Sequence, residues 1–290
     1  MLIKYQFRWH PRVDFKEPYT RKVLRLMGPR VVSMLFIQLI FLAQDNLGSR
    51  LSEGSVSALT YGWWIMQVPQ TLIGTSIATA ILPTLSEMFS NQQFDLLKER
   101  IERAARVMIT LTVPVAIVAG MVLLPVVRLF LGLDEAGTLR VANTSQIFLL
   151  GIVGHSLVEL FVRSFYALQK PRVPLIGSAF TLVVFILLGI VLSPMLEAVG
   201  IAAANTIAYI LQTLLLLILL RKTLPEPLRL GKTTLKSLLA AALGGAAAYA
   251  VVNWAPKLAG SLIGAVAAFG VGILLAALIL RKDLREIADL

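Results

Sequence analysis

The chain of 290 residues contains no cysteine, which excludes disulfides, thiolate metal sites and thiol nucleophiles. Its two histidines, His10 and His155, are too few for a zinc-type cluster, so no metal site and no cofactor is expected. Charged residues are scarce at 15%, and 16 acidic groups stand against 27 basic ones. There is no nucleotide-binding glycine loop, no nucleophile elbow and no pair of carboxylates at a catalytic spacing, so the sequence does not read as an enzyme. The amino-terminal stretch MLIKYQFRWHPRVDFKEPYTRKV is basic and aromatic and lacks the apolar core and small-residue cleavage site of a secretory signal.

What is abundant is apolar surface. At 57% hydrophobic residues and a mean hydropathy of +0.80, the chain carries more than a soluble domain buries, and lipid must cover it. The formal net charge of +11 does not mark a nucleic-acid binder, because the basic residues are confined to gaps between long apolar runs. A hydrocarbon core about 30 Å thick takes about 20 helical residues, since every backbone group must be bonded within the segment. Eight stretches meet this, at about 24–47, 57–83, 107–131, 144–168, 174–194, 200–220, 237–254 and 261–280. The expected fold is an all-α polytopic transmembrane bundle of about eight spans. Alternate gaps hold all Lys and Arg except Arg50, Arg128, Arg140 and Lys257, which places both termini on the cytoplasmic side of a cytoplasmic (inner) membrane.

Between the second and third spans, Phe94, Leu97, Ile101 and Ala104 recur at helical spacing opposite Lys98, Glu99, Glu102 and Arg103. The pattern suits a short amphipathic helix on the membrane surface and equally a solvated extension of the third span. Polar groups inside the spans cost about 2.5–3.5 kcal/mol each on insertion scales, which makes them candidates for function. Gln38 and Asp45 lie on the first span, Asp45 close enough to its end for a wetted terminus to explain it. Gln67 lies in the second span, where Pro69 and Pro83 are hinge candidates as well as ordinary structural prolines. Glu159 and Arg163, four residues apart, share a face and can pair, as a structural bridge or as a coupling-ion site. His155 lies one turn earlier on the same stripe. Asn143, Asn205 and Gln212 read as packing contacts between helices. The small-residue runs 74–80 and 240–250 allow close helix approach or a groove against lipid.

Three stretches carry a family resemblance. GSVSALTYGWWIMQVPQTLIGTSIATAILPTLS at 54–86, RLMGPRVVSMLFIQLIFLAQDNLGSRL at 25–51 and ELFVRSFYALQKPRVPL at 159–175 resemble, in order and spacing, segments of the MviN/MurJ family of lipid II flippases in the MOP exporter superfamily. The family usually has a six-span and an eight-span lobe facing each other across a cavity, and this chain resembles the second. The resemblance implies one lobe of a MOP/MATE-like flippase, with 1–20 as cytoplasmic connector, 21–222 as a six-helix lobe, and 223–290 as an added helix pair with a short tail. It further implies that the pair offers a groove to a polyprenyl tail, and that the partners are membrane lipids, a lipid-linked sugar and a six-helix lobe on a separate chain or a second copy.

One departure concerns chemistry. Where the family commonly has an arginine that meets the substrate diphosphate, this chain has Trp64, preceded by Trp63. Arg30 and Arg163 are then the candidate substitutes, and Lys170 and Arg172 keep the following turn basic. Three readings remain: a lobe of a flippase for a polyprenyl-diphosphate-linked peptidoglycan precursor, a non-transporting truncated homologue or envelope scaffold, and a dimeric polysaccharide or multidrug exporter.

Overall fold

A computed structural model of the chain describes residues 18–224, 226–254 and 262–281. The expected connector at 1–20 lies almost wholly outside the described residues, as do His10, Pro256, Lys257 and most of the tail.

Helix α1 spans Pro18–Gly48 and α2 spans Ser55–Ser90, with one π-helical turn at Thr71–Thr75 directly after Pro69. Pro83 lies further along α2 in regular helix. Helix α3 covers Phe94–Leu131 and stops at Gly132, whose φ of 58° is left-handed. Helix α4 covers Glu135–Ala167; Asp134 caps it by accepting from the Gly137 N–H at 3.1 Å.

The helical stretch Arg172–Arg221 would be about 75 Å long as one rod, more than twice a hydrocarbon core. It reverses at Glu197, whose φ of 51° and ψ of −134° break the helix three residues after Pro194. The halves, α5 (172–196) and α6 (198–221), run back along each other. A Cβ at Gly200 would strike the Leu192 carbonyl, and one at Gly177 would meet Gln212 and Leu216. Helices α7 (Gly231–Trp254) and α8 (Leu262–Ile279) complete the described residues, α8 being shorter than a full span within them. Eight helical segments thus match the eight apolar stretches read from sequence.

The core is organised on α4. In its most apolar window 67% of residues are buried, against 22% in α1 and α2. Small residues let its neighbours close in: Gly62 of α2 meets Phe148 and Ser145, Gly74 meets Ser156, and on α6 Thr206 meets Gly151 while Ile210 meets Gly154. Hydroxyls reach across to main-chain carbonyls, from Thr206 to Ile147 and from Thr213 to Gly154, each at 2.9 Å. Helices α7 and α8 touch backbone to backbone at Gly244 and Gly272, and dock on Ile117, Val118 and Val122 of α3. Both small-residue runs therefore serve close helix approach.

The 94–106 segment is the start of α3 itself, not a separate surface helix. Leu97, Ile101 and Ala104 are fully buried against protein, and Glu102 is buried between Lys98 at 3.6 Å and Arg106 at 3.4 Å. Glu102 also accepts the Arg229 N–H at 3.1 Å, which ties the 222–230 linker to α3. At the opposite end the Ser52 hydroxyl donates to Glu197 at 2.9 Å, and Arg140 reaches both Glu197 and the Glu53 carbonyl. The two sets of loops separated by charge counting thus gather at opposite ends of the bundle.

The reversal leaves no room at Gly200. Replacing Gly200 with alanine is expected to lower thermal stability by about 1–3 kcal/mol, the range for forcing atoms into a packed site. Gly270→Ala, with nothing within 4 Å of the new Cβ, should be neutral or slightly stabilising in the same melting experiment. Equal melting of the two variants would show that the reversal tolerates a wider separation.

Candidate functional site

A cavity of about 700 Å³ lies among α1, α2, α4, α5 and α6. Of the substrate-binding candidates read from sequence, Arg30, Gln67, Glu159 and Arg163 line it. Arg30, early in α1, and Arg163, late in α4, approach from antiparallel helices near the same end, the one where the basic loops gather. The Arg163 guanidinium donates to the Glu159 carboxylate one turn back and to the Glu159 carbonyl at 3.3 Å. The pair expected from the spacing is therefore present, on the cavity wall, where the Glu159 side chain is 38% exposed. Arg30 lies over the Tyr166 ring at 5.6 Å from its centroid, and no ion pair engages it among the described residues. A guanidinium held by a ring face keeps its donors free for an anion.

His155 lines the cavity but turns away from Glu159. It bonds Asn205 at 3.1 Å, stacks on Tyr209 at 3.7 Å between centroids, and meets the edge of Trp63 at 5.3 Å. Asn205 is thus the interhelical contact expected of it, whereas Gln212 also lines the cavity. The two tryptophans diverge. Trp63 packs inward against Phe41, Phe148 and His155, each edge-on. Trp64 points outward, 58% exposed, in a shallow depression it shares with Gln67, Val68, Thr71 and Leu72.

Gln38 and Asp45 are exposed on α1 and do not line the cavity. Of the hinge candidates, Pro69 adjoins the π-turn and Pro83 produces no comparable irregularity. Sequence reasoning missed Trp63, Gln70, Thr71, Thr75, Tyr166 and Tyr209 as cavity residues. A signal for part of this set existed: Gln67, Thr71 and Thr75 recur at helical spacing, forming a polar stripe where a lipid-facing helix would be apolar.

A family model described as lipid II flippase MurJ matches residues 1–267. The chain belongs to the MurJ family. A probable lipid II flippase MurJ of Rhizobium meliloti (strain 1021) is 28% identical over 252 residues, covering 84% of this chain and 47% of that protein. The lipid II flippase MurJ of Burkholderia cenocepacia is 27% identical over 216 residues, 73% of this chain and 42% of its own length. The chain spans about half the length of these curated relatives. Among solved structures, a lipid II flippase MurJ in an inward closed conformation superposes with a TM-score of 0.76 at 20% identity, covering 98% of this chain and 58% of the other. An outward-facing MATE family multidrug resistance transporter of the MOP superfamily gives 0.55 at 15% identity, covering 92% and 66%. These likenesses establish the fold of a MurJ/MATE-type helical lobe and a membrane protein of a flippase family.

Because Glu159 and Arg163 engage each other at the cavity wall, their alanine replacements should not be additive. The double variant is expected to lose less stability than the two single losses combined, with a coupling of about 0.5–1 kcal/mol for a pair this exposed. A thermal-shift cycle in detergent measures it; strict additivity would mean that the two groups act separately.

Proposed function

We propose that this chain forms one wall of an alternating-access flippase for a polyprenyl-diphosphate-linked peptidoglycan precursor resembling lipid II, with a second lobe facing it. The observation that carries the reading is that Arg30 and Arg163 both line one end of a single cavity in a MurJ-type lobe. A diphosphate is a dense anion, and guanidinium groups bind it by paired, charge-assisted hydrogen bonds worth more than neutral ones. Carriers of this kind rock one repeat against another around a central site, so one lobe supplies only half of the path. Residues 21–222 make up the transport lobe in this reading, and 223–290 are an appended pair covering α3. The basic end faces the cytoplasm, following the distribution of Lys and Arg.

A non-transporting role as an envelope scaffold competes with this reading through one observation, the tryptophan at the position where the family resemblance expects a cation. Genetic complementation separates the two. In cells depleted of their own lipid II flippase, this chain expressed with a six-span facing lobe should restore growth, and the chain alone should not. Arg30→Ala or Arg163→Ala should then cut precursor translocation by about 10–100-fold, the loss of one or two charge-assisted bonds. Failure of the two-lobe pair to rescue would favour the scaffold, and rescue by the chain alone would favour self-assembly into an exporter.

Orientation is tested separately. Since the native chain has no cysteine, single cysteines report without background. Those at Ser52, Asp134 and Glu197 should react with an impermeant thiol reagent in intact cells, and those at Ser90 and Thr223 should react only after lysis. The reverse pattern would invert the bundle.

A further inference from the structure

Among the described residues, the charged side chains that line the cavity are Arg30, Glu159 and Arg163. Glu159 is out of place in a site for an anion, because its carboxylate repels the group that the two arginines attract. Its hold on Arg163 is slight. The guanidinium reaches both the Glu159 carboxylate and, at 3.3 Å, the Glu159 carbonyl through a single nitrogen, Nη1, and not as a paired fork. The arginine is also the more enclosed partner, its side chain 20% exposed against 38% for the glutamate. The carboxylate is therefore free to swing into the cavity while the main-chain bond keeps Arg163 in place.

A purely structural bridge explains the pair poorly. At this exposure an ion pair between residues four apart adds little stability. It joins no helices either: among the described residues Glu159 bonds only Arg163, whereas His155, one turn earlier, is buried and bonded across to Asn205 on α6. Charge gives the pair another meaning. Two guanidinium groups and one carboxylate leave a single net positive charge, and a diphosphate diester carries two negative ones. With the carboxylate withdrawn, the arginines match the anion. Arg30 lies over Tyr166, one turn beyond Arg163, near enough for the two guanidinium charges to repel, and an anion between them relieves that repulsion.

We propose that Glu159 is a built-in competitor for the diphosphate: it occupies Arg163 while the cavity is empty, yields it to the incoming anion, and returns to it as the cargo leaves. The assignment rests on the reading of the cavity as a diphosphate path. A site on a transport path must bind well enough to load and weakly enough to empty. The diphosphate wins the exchange because its oxygens engage a guanidinium in pairs and reach Arg30 as well. It is held loosely because the displaced carboxylate remains one side-chain swing away, repelling it and ready to take Arg163 back.

The full chain in lipid nanodiscs tests this with one probe, a prenyl diphosphate esterified to an N-acetylhexosamine. Glu159→Gln keeps the size of the side chain and removes its charge, and it should bind the probe about two- to tenfold more tightly than the unaltered chain, the return on one partly exposed ion pair no longer competing. Glu159→Asp, which keeps the charge, should stay nearer the unaltered chain. In an Arg163→Ala background, where there is nothing left to compete for, Glu159→Gln should gain less. Paired with the facing lobe in flippase-depleted cells, Glu159→Gln should translocate precursor more slowly, because release becomes limiting. Unchanged or weaker binding in Glu159→Gln, with its melting temperature showing a folded chain, would overturn the competitor alone, as would an equal gain without Arg163 or tighter binding with undiminished translocation. If neither the unaltered chain nor Glu159→Gln binds the probe, the cavity is not a diphosphate path and the competitor falls with that reading.

Discussion

The lobe depends on how closely its helices approach α4. In hydrocarbon there is little hydrophobic gain from pressing helices together, so association rests on van der Waals fit and on hydrogen bonds between neighbours. Here the fit comes from glycines on α2 and α4 set against serine, threonine or main chain. Hydroxyl bonds from Thr206 and Thr213 to main-chain carbonyls of α4 add direction to the contact. With α2, α3, α5 and α6 held around one buried helix, α1 reaches the assembly at its margin, and the space between α1 and α4 remains open as the cavity.

That opening decides where polar chemistry can be tolerated. On α4 the stripe His155, Glu159, Arg163 crosses from packed interior to partly exposed cavity wall within about two turns. His155 is satisfied by Asn205 and Tyr209, whereas Glu159 and Arg163 satisfy each other beside the cavity. On α2 the π-turn after Pro69 lies at the closest contact with α4, where Gly74 meets Ser156, so the one irregular stretch of the helix coincides with a tight packing point and a cavity wall. Wide helical turns are frequent at functional sites because they re-aim side chains without ending the helix. Thr71 and Thr75, at either end of this turn, both reach the cavity.

The two ends of the bundle are built differently. The end with few basic residues is closed by a small network in which Ser52 and Arg140 hold Glu197, a non-glycine residue at positive φ whose strain costs about 1–3 kcal/mol. The basic end is tied by the buried Glu102, which binds Lys98 and Arg106 on its own helix and the main chain of the linker before α7. Leu97, Ile101 and Ala104, which looked suited to a membrane surface, are spent on this internal junction, while Phe94 stays exposed.

The sequence by itself determined the class of the fold, the number of crossings and the grouping of loops by side, because lipid imposes a length and an apolar composition that a linear scan can read. It also determined the Glu159–Arg163 pair, since residues four apart on a helix are neighbours whatever surrounds them. Only the tertiary structure decided which polar groups share a cavity. Helical periodicity gives a face but not what that face meets, so Gln38 and Asp45 fell outside the cavity while Tyr166 and Tyr209, unremarkable in the sequence, line it. For the same reason adjacent tryptophans, about 100° apart around α2, met different fates. Trp63 turned into the aromatic core and Trp64 turned out to the open face, a division set by where α1 and α4 stand.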